Sequence, residues 1–172
     1  MTARQTVVIA GRRVLLRRAA LDEILALRHA VLRPGLPAAS AAFDGDVAPD
    51  TRHFGAFDGR TAIACLSFMR RDRDGEAYQL RGMATAAAVR GAGVGRALLR
   101  FADEALAAET GIRGLWCNAR VESIGFYERV GWRVVSDVFE VPGVGPHRVM
   151  VRPPAGGGGP GEVGPAPVGD QR

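Results

Sequence analysis

The 172-residue chain contains no lysine; all 23 of its basic residues are arginines. That absence excludes a Walker-type phosphate loop, which needs Gly-Lys-Ser/Thr. Cysteine is nearly missing, and Cys65 and Cys117 make neither a disulfide framework nor a metal-ligating spacing. Aromatic residues are only 6%, so there is no series of stacking platforms for single-stranded nucleic acid. Long apolar runs are absent as well. The longest uncharged stretch, 34–43, is too short and too polar to span a bilayer. The opening residues, Met1-Thr2-Ala3-Arg4-Gln5, show no apolar stretch ending in a small-residue cleavage site. Neither membrane nor export is expected, and a cytoplasmic location is.

What is present describes a globular chain, 47% hydrophobic and 24% charged, with a formal charge of +5. A basic balance raises the question of nucleic acid. The arginines, however, run from Arg4 to Arg172 with no run longer than two, and no nucleic-acid partner is expected. A GC-rich coding bias accounts for most of the excess of Arg over Lys. A few guanidinium groups remain free to serve a phosphate-bearing ligand.

The last twenty residues, 153–172, hold seven Gly and five Pro and read as a disordered tail. Residues 1–152 then form one domain. Val14-Leu15-Leu16 closes a first strand. Leu21 to Leu32 carries apolar residues at helical spacing and is stopped by Pro34-Gly35. Residues 53–57 and 61–69 read as a hairpin around Asp58-Gly59. Arg70 to Gly75 is a charged turn, and 76–85 is a strand. Residues 94–108 form the clearest amphipathic helix, ended by Gly111. A strand at 114–118, a short helix at 123–129 and closing strands at 132–135 and 148–151 complete the order β-α-β-β-β-α-β-α-β-β, a mixed sheet with helices.

Between the strand ending at Thr85 and the long helix lies Arg90-Gly91-Ala92-Gly93-Val94-Gly95-Arg96. Glycines allow a tight turn with successive N–H groups pointing inward, and the helix start adds unpaired donors and a positive dipole end. Such a loop suits a pyrophosphate, with Arg90 and Arg96 as charged flanks. A dinucleotide fingerprint would need a third glycine where Arg96 stands.

Arg-x-x-Gly-x-Gly (Arg90, Gly93, Gly95) in this position resembles the acyl-coenzyme A signature of the GNAT superfamily of N-acetyltransferases. Leu80-Arg81-Gly82-Met83-Ala84-Thr85 lies where that family has the strand that pairs with the pantetheine arm. Phe126-Tyr127-Glu128-Arg129-Val130-Gly131-Trp132 is similar to its Phe-Tyr-x-x-x-Gly-Phe segment, with Trp in place of the usual Phe. The resemblance implies an α/β (α+β) fold. Its mixed, mostly antiparallel sheet would have about six to seven strands, with helices on both faces. The family's fourth and fifth strands, here about 76–85 and 114–118, would splay apart to admit the thioester. It implies an enzyme that moves an acetyl group from acetyl-CoA to a small-molecule or peptide amine, without a metal, as a monomer or homodimer. A non-catalytic acyl-CoA-binding regulatory module is the alternative.

By the same resemblance, Met83, Ala84 and Thr85 would hold pantetheine by their backbone groups. The loop from Arg90 through Gly91, Ala92, Gly93, Val94 and Gly95 to Arg96 would hold the pyrophosphate. Tyr127 would be the general acid to the departing thiolate. Asn118 would hydrogen-bond the pantetheine, or is a plain strand-ending residue. His147 and His29 are candidate general bases for the acceptor amine, and each has a structural reading too, as a turn cap or a helix-surface residue. Glu76 is set aside, because Met83 lies over 20 Å away along an extended strand at about 3.3 Å per residue. Cys117 reads as buried packing rather than a nucleophile. Asp44, Asp46 and Asp50, in the 34–50 loop, are either solvated or an attraction for a cationic amine.

Overall fold

The computed structural model describes residues 3–152, so the expected disordered tail at 153–172 lies outside the described residues. The chain begins with a hairpin of β1 (Arg4–Ile9) and β2 (Arg12–Arg18) where a single strand was expected. Its turn is Ala10-Gly11, with φ of 49° and 77°. Two central residues at positive φ match the twist of the flanking strands. An alanine does not advertise that geometry as asparagine would, so the sequence gives no sign of the turn.

Helix α1 (Leu21–Leu32) follows. Glu23 accepts the Ala20 N–H at 2.8 Å and also pairs with Arg17 at 2.7 Å. These contacts pull its carboxyl down to about 2, with the Arg17 bond the larger influence. Strands β3 (Arg52–Asp58), β4 (Thr61–Arg73) and β5 (Glu76–Thr85) form an antiparallel meander. β4 runs four residues beyond the expected 61–69, because the turn is confined to Asp74 (φ 49°) and Gly75 (φ 89°).

β4 is covered on both faces, and its residues alternate accordingly. Ala64, Leu66 and Phe68 join the main core with Phe54, Leu98 and Leu106. Cys65 faces the other way and packs with Ile24 of α1 and with Ala84. Helix α2 (Val94–Thr110) supplies the main-core side and ends at Gly111, φ 74°, whose N–H closes on the Ala107 carbonyl. Helices therefore lie on both faces of the sheet. β6 (Leu115–Arg120), helix α3 (Ile124–Glu128), β7 (Arg133–Val134), β8 (Phe139–Val141) and β9 (Gly145–Arg152) complete the chain.

Among the described residues the sheet has nine strands in the order β1-β2-β3-β4-β5-β6-β9-β7, with β8 also paired to β9. Two strands more than expected come from the first hairpin and from three-residue β8. Every pairing is antiparallel except β5 with β6. That parallel pair is held at only two positions, Tyr78↔Leu115 and Gln79↔Trp116. Beyond Gln79 the strands separate.

Candidate active site

The separation has a local cause in β5. Cys65 pairs with Ala84 and Ser67 with Arg81, so Gly82 and Met83 together oppose Leu66 in a β-bulge. Gly82 sits at φ 60°, in the left-handed region. A bulge bends its strand and sharpens the twist, which turns the end of β5 away from β6. Beyond Gln79 the backbone of β5 thus has no strand partner on its β6 side among the described residues.

A cavity of about 270 Å³ occupies the opening, with Met83 and Gly82 on one wall and Asn118 and Ala119 on the other. Tyr127 and His147 also line it. Tyr127 is 8% exposed, between the rings of Phe126 at 5.2 Å and Trp132 at 5.4 Å. Among the described residues its hydroxyl meets only the Met83 thioether, at 3.7 Å. Burial, reinforced by the neighbouring Cys117, raises its pKa well above the ordinary phenol value, so the group stays a proton donor. Cys117 is buried and its thiol is pushed far up by desolvation. It forms no thiolate near neutrality, in keeping with a packing role.

His147 is 6% exposed. Its Nδ1–H donates to the Gly145 carbonyl at 2.8 Å, which leaves Nε2 with a free lone pair. Phe139 lies beside the ring, with centroids 6.1 Å apart. The turn-closing reading of His147 is thus seen directly, and the ring also lines the cavity. His29 is not brought to the cavity. Its Nε2 donates to the Leu36 carbonyl at 2.7 Å and ties α1 to the turn that follows. Glu76 stands at the far end of β5, where burial raises its pKa.

A second hollow of about 320 Å³ lies at the start of α2, formed by Thr85, the 90–96 loop, Phe126 and Arg129. Gly91 and Gly93 take φ of 82° and 95°. Ala97 makes the first helical bond, to Gly93, and no side chain caps the helix. Among the described residues the N–H groups of Gly91 and of Gly93 through Arg96 have no partner. Gly95 allows the helix to approach β5, since a Cβ there would stand 2.9 Å from Thr85 Oγ1. Arg90 reaches back to the Thr85 carbonyl at 3.4 Å, and Arg96 is exposed. Arg129 was not singled out from the sequence; its place after Tyr127 on α3 is the only signal.

Beneath the bulge lies a polar network that the sequence did not reveal. Arg28, fully buried on α1, donates to Asp46 at 2.6 Å, to the Ala41 carbonyl at 3.0 Å and to Ser67 at 2.7 Å. His53 Nε2–H donates to the Asp46 carbonyl at 2.9 Å, and Ser67 closes the ring on His53 Nδ1 at 2.6 Å. Asp46 is therefore neither solvated nor turned to an acceptor amine. It is 5% exposed and committed to Arg28 and to the Phe43 N–H.

Comparisons with known proteins bear on the family and the fold. The family model for the acetyltransferase (GNAT) domain matches residues 49–134. Over 136 residues the chain is 34% identical to the uncharacterized N-acetyltransferase YitI of Bacillus subtilis (strain 168), covering 77% of this chain and 91% of that protein. The fold is similar to that of ElaA from Escherichia coli, with a TM-score of 0.67 at 22% identity over 89% of this chain and 100% of ElaA. It is also similar to an aminoglycoside 6'-N-acetyltransferase complexed with coenzyme A, with a TM-score of 0.62 at 12% identity over 79% of this chain and 94% of that one. The chain belongs to the GNAT acetyltransferases. It is an acyltransferase, with the family's mixed, mostly antiparallel sheet.

Proposed function

We propose that the enzyme transfers an acetyl group from acetyl-coenzyme A directly to an amine, with Tyr127 as general acid and His147 as general base. The observation that carries this reading is the meeting of a protonated phenol and a free imidazole nitrogen in the single cavity where β5 and β6 part.

The residues present fit coenzyme A. Five unpartnered N–H groups at the start of α2 make an anion cradle. Arg90, Arg96 and Arg129 surround it with positive charge. Met83, Ala84 and Thr85 would hold the pantetheine along the free side of β5, with Asn118 across the opening. When bound there, acetyl-coenzyme A supplies the activated acetyl group: a bond forms from the amine nitrogen to the carbonyl carbon, and the carbon–sulfur bond breaks. His147 Nε2 takes the proton the amine gives up, and the Tyr127 hydroxyl protonates the sulfur as it leaves. No cysteine intermediate is involved, because Cys117 is held as a thiol.

The test is release of free thiol from acetyl-coenzyme A by the full-length protein across a panel of amines. Amine-dependent release with formation of the N-acetyl product is expected. Tight coenzyme A binding with no transfer to any amine would mark a non-catalytic binding module instead.

A further inference from the structure

The cavity at the strand opening is unusual in its charge. Four arginines line it, Arg33, Arg71, Arg81 and Arg120, and no aspartate or glutamate does. Among the described residues every ion pair uses other arginines. Eight described arginines find carboxylates and fourteen do not, and four of those fourteen meet at this one cavity.

Arg81 is the most constrained of them. Its guanidinium lies 4.9 Å from the Phe43 ring centroid, with Nη1 3.3 Å from the Asp44 carbonyl oxygen and 3.5 Å from Met69 Sδ. Arg33 lies over the same ring at 5.4 Å, and the buried Arg28 at 4.5 Å. Three cations thus converge on one aromatic, and two of them border the cavity. Burial first, and then the neighbouring Arg71, disfavour the charged form of Arg81, yet guanidinium stays protonated at any physiological pH. The nearest acids do not neutralise it. Asp46 is sealed against Arg28, and the exposed Asp44 side chain forms no ion pair among the described residues and does not line the cavity. A partly desolvated cation without a counterion is costly, and a bound anion removes that cost.

Gln79 adds a second observation. It is the last residue of β5 paired to β6, so it sits at the apex of the opening, and it is 4% exposed. Its side-chain Oε1 has no partner among the described residues. A buried orphan acceptor on a cavity wall matches a donor on a ligand, as an acceptor's N–H would be.

We infer that the acceptor is a small amine that also carries an anionic group, a carboxylate or a phosphate. Arg81 and Arg33 bind the anion, with Arg120 and Arg71 adding to the field, and the amine reaches toward Gln79 and His147. Arg120 is the cross-strand neighbour of His147, which places anion recognition beside the base. Polyamines and aminoglycosides, which are polycations, are disfavoured at this site by like-charge repulsion. This inference rests on the transfer reading above for its amine half only; the anion half is a binding property.

Two arms separate them. In the first, the coenzyme A-loaded full-length protein is titrated calorimetrically with N-acetylalanine, N-acetylglutamate and O-phospho-N-acetylethanolamine, each against its uncharged carboxamide or alcohol. In the second, thiol release is measured with the corresponding free amines and with spermidine. Anionic probes should bind and react roughly tenfold or more better than their uncharged counterparts, and the better of carboxylate and phosphate names the anion. Arg81→Gln and Arg33→Gln, each checked for native thermal unfolding, should shrink the ratio by raising KM for the anionic member more than they lower kcat. Equal or better binding of the uncharged probes, or preference for spermidine, overturns the inference while leaving the transferase reading standing. Tight binding of the anionic probes with no thiol release sinks the transferase reading and upholds the anion site.

Discussion

The Arg28 side chain lies directly against the α-carbon of Gly82: a Cβ built there would stand 2.7 Å from Arg28 Nε and 3.1 Å from the Phe43 ring. Arg28 cannot retreat, because Asp46, the Ala41 carbonyl and Ser67 hold its guanidinium. One contact therefore ties the bulge that opens the sheet to helix α1 and the 34–50 loop.

Gly82→Ala is expected to destabilise the protein on two counts. A non-glycine residue at φ 60° costs about 1 kcal/mol or more, and overpacking against a fixed side chain adds about 1–3 kcal/mol. Thermal unfolding should fall by on the order of 10 °C for a domain of this size. A wild-type midpoint would show that Arg28 yields and that the contact does not fix the bulge.

Much of this site was legible from residue types and spacing. The glycine loop before an amphipathic helix signals a turn with inward N–H groups, and the structure leaves those groups unpartnered. Tyr127 and His147, far apart in sequence, were named and do share one cavity. What was hidden depends on tertiary burial. Nothing in the spacing of α1 says that Arg28 is fully buried, as Ile24 is, since an arginine on a helix reads as solvent-facing. Asp46 reads as a loop acid until Arg28 is seen beside it. The unpaired arginines of the cavity come from α1's end, β4, β5 and β6, and no local pattern could have grouped them.

Tyr127→Phe should lower turnover by about a hundredfold and change coenzyme A affinity far less. The phenol has no strong internal hydrogen bond to lose, only the Met83 sulfur at 3.7 Å, so the fold should tolerate the change. Because burial raises its pKa, Tyr127 ionisation should cause no loss of wild-type activity up to its ordinary value of 10. Steady-state kinetics beside calorimetric coenzyme A binding would decide; an equal loss in both quantities would reassign Tyr127 to cofactor binding.

His147→Gln tests the base through pH. At neutral pH an amine acceptor is mostly ammonium, and loss of the base should reduce kcat/KM by roughly a hundredfold. As pH rises the amine deprotonates without help, so the variant's profile should converge on the wild type. A constant ratio across the range would mean that the ring only closes its turn on Gly145 and packs on Phe139.

The network under the bulge makes stability depend on acidity, and the sign can be worked out from His53. Burial is the main cause that lowers its pKa below the ordinary 6.5, outweighing its bond to the Asp46 carbonyl. The unfolded chain then binds the proton more readily than the folded one. Stability is therefore full above about pH 6.5 and falls as pH drops from there toward the folded-state value, by at most about 1.4 kcal/mol per pH unit for one proton. Asp103 and Glu76, whose values are raised by burial, act with the opposite sign, so the wild-type curve alone mixes the two. His53→Gln, which does not titrate, isolates the term. Its stability, lower than wild type at pH 7.5, should show a flatter decline between pH 6.5 and 5 in denaturant titrations. Parallel slopes for the two proteins would place the acid sensitivity elsewhere than in the Arg28–Asp46–Ser67–His53 ring.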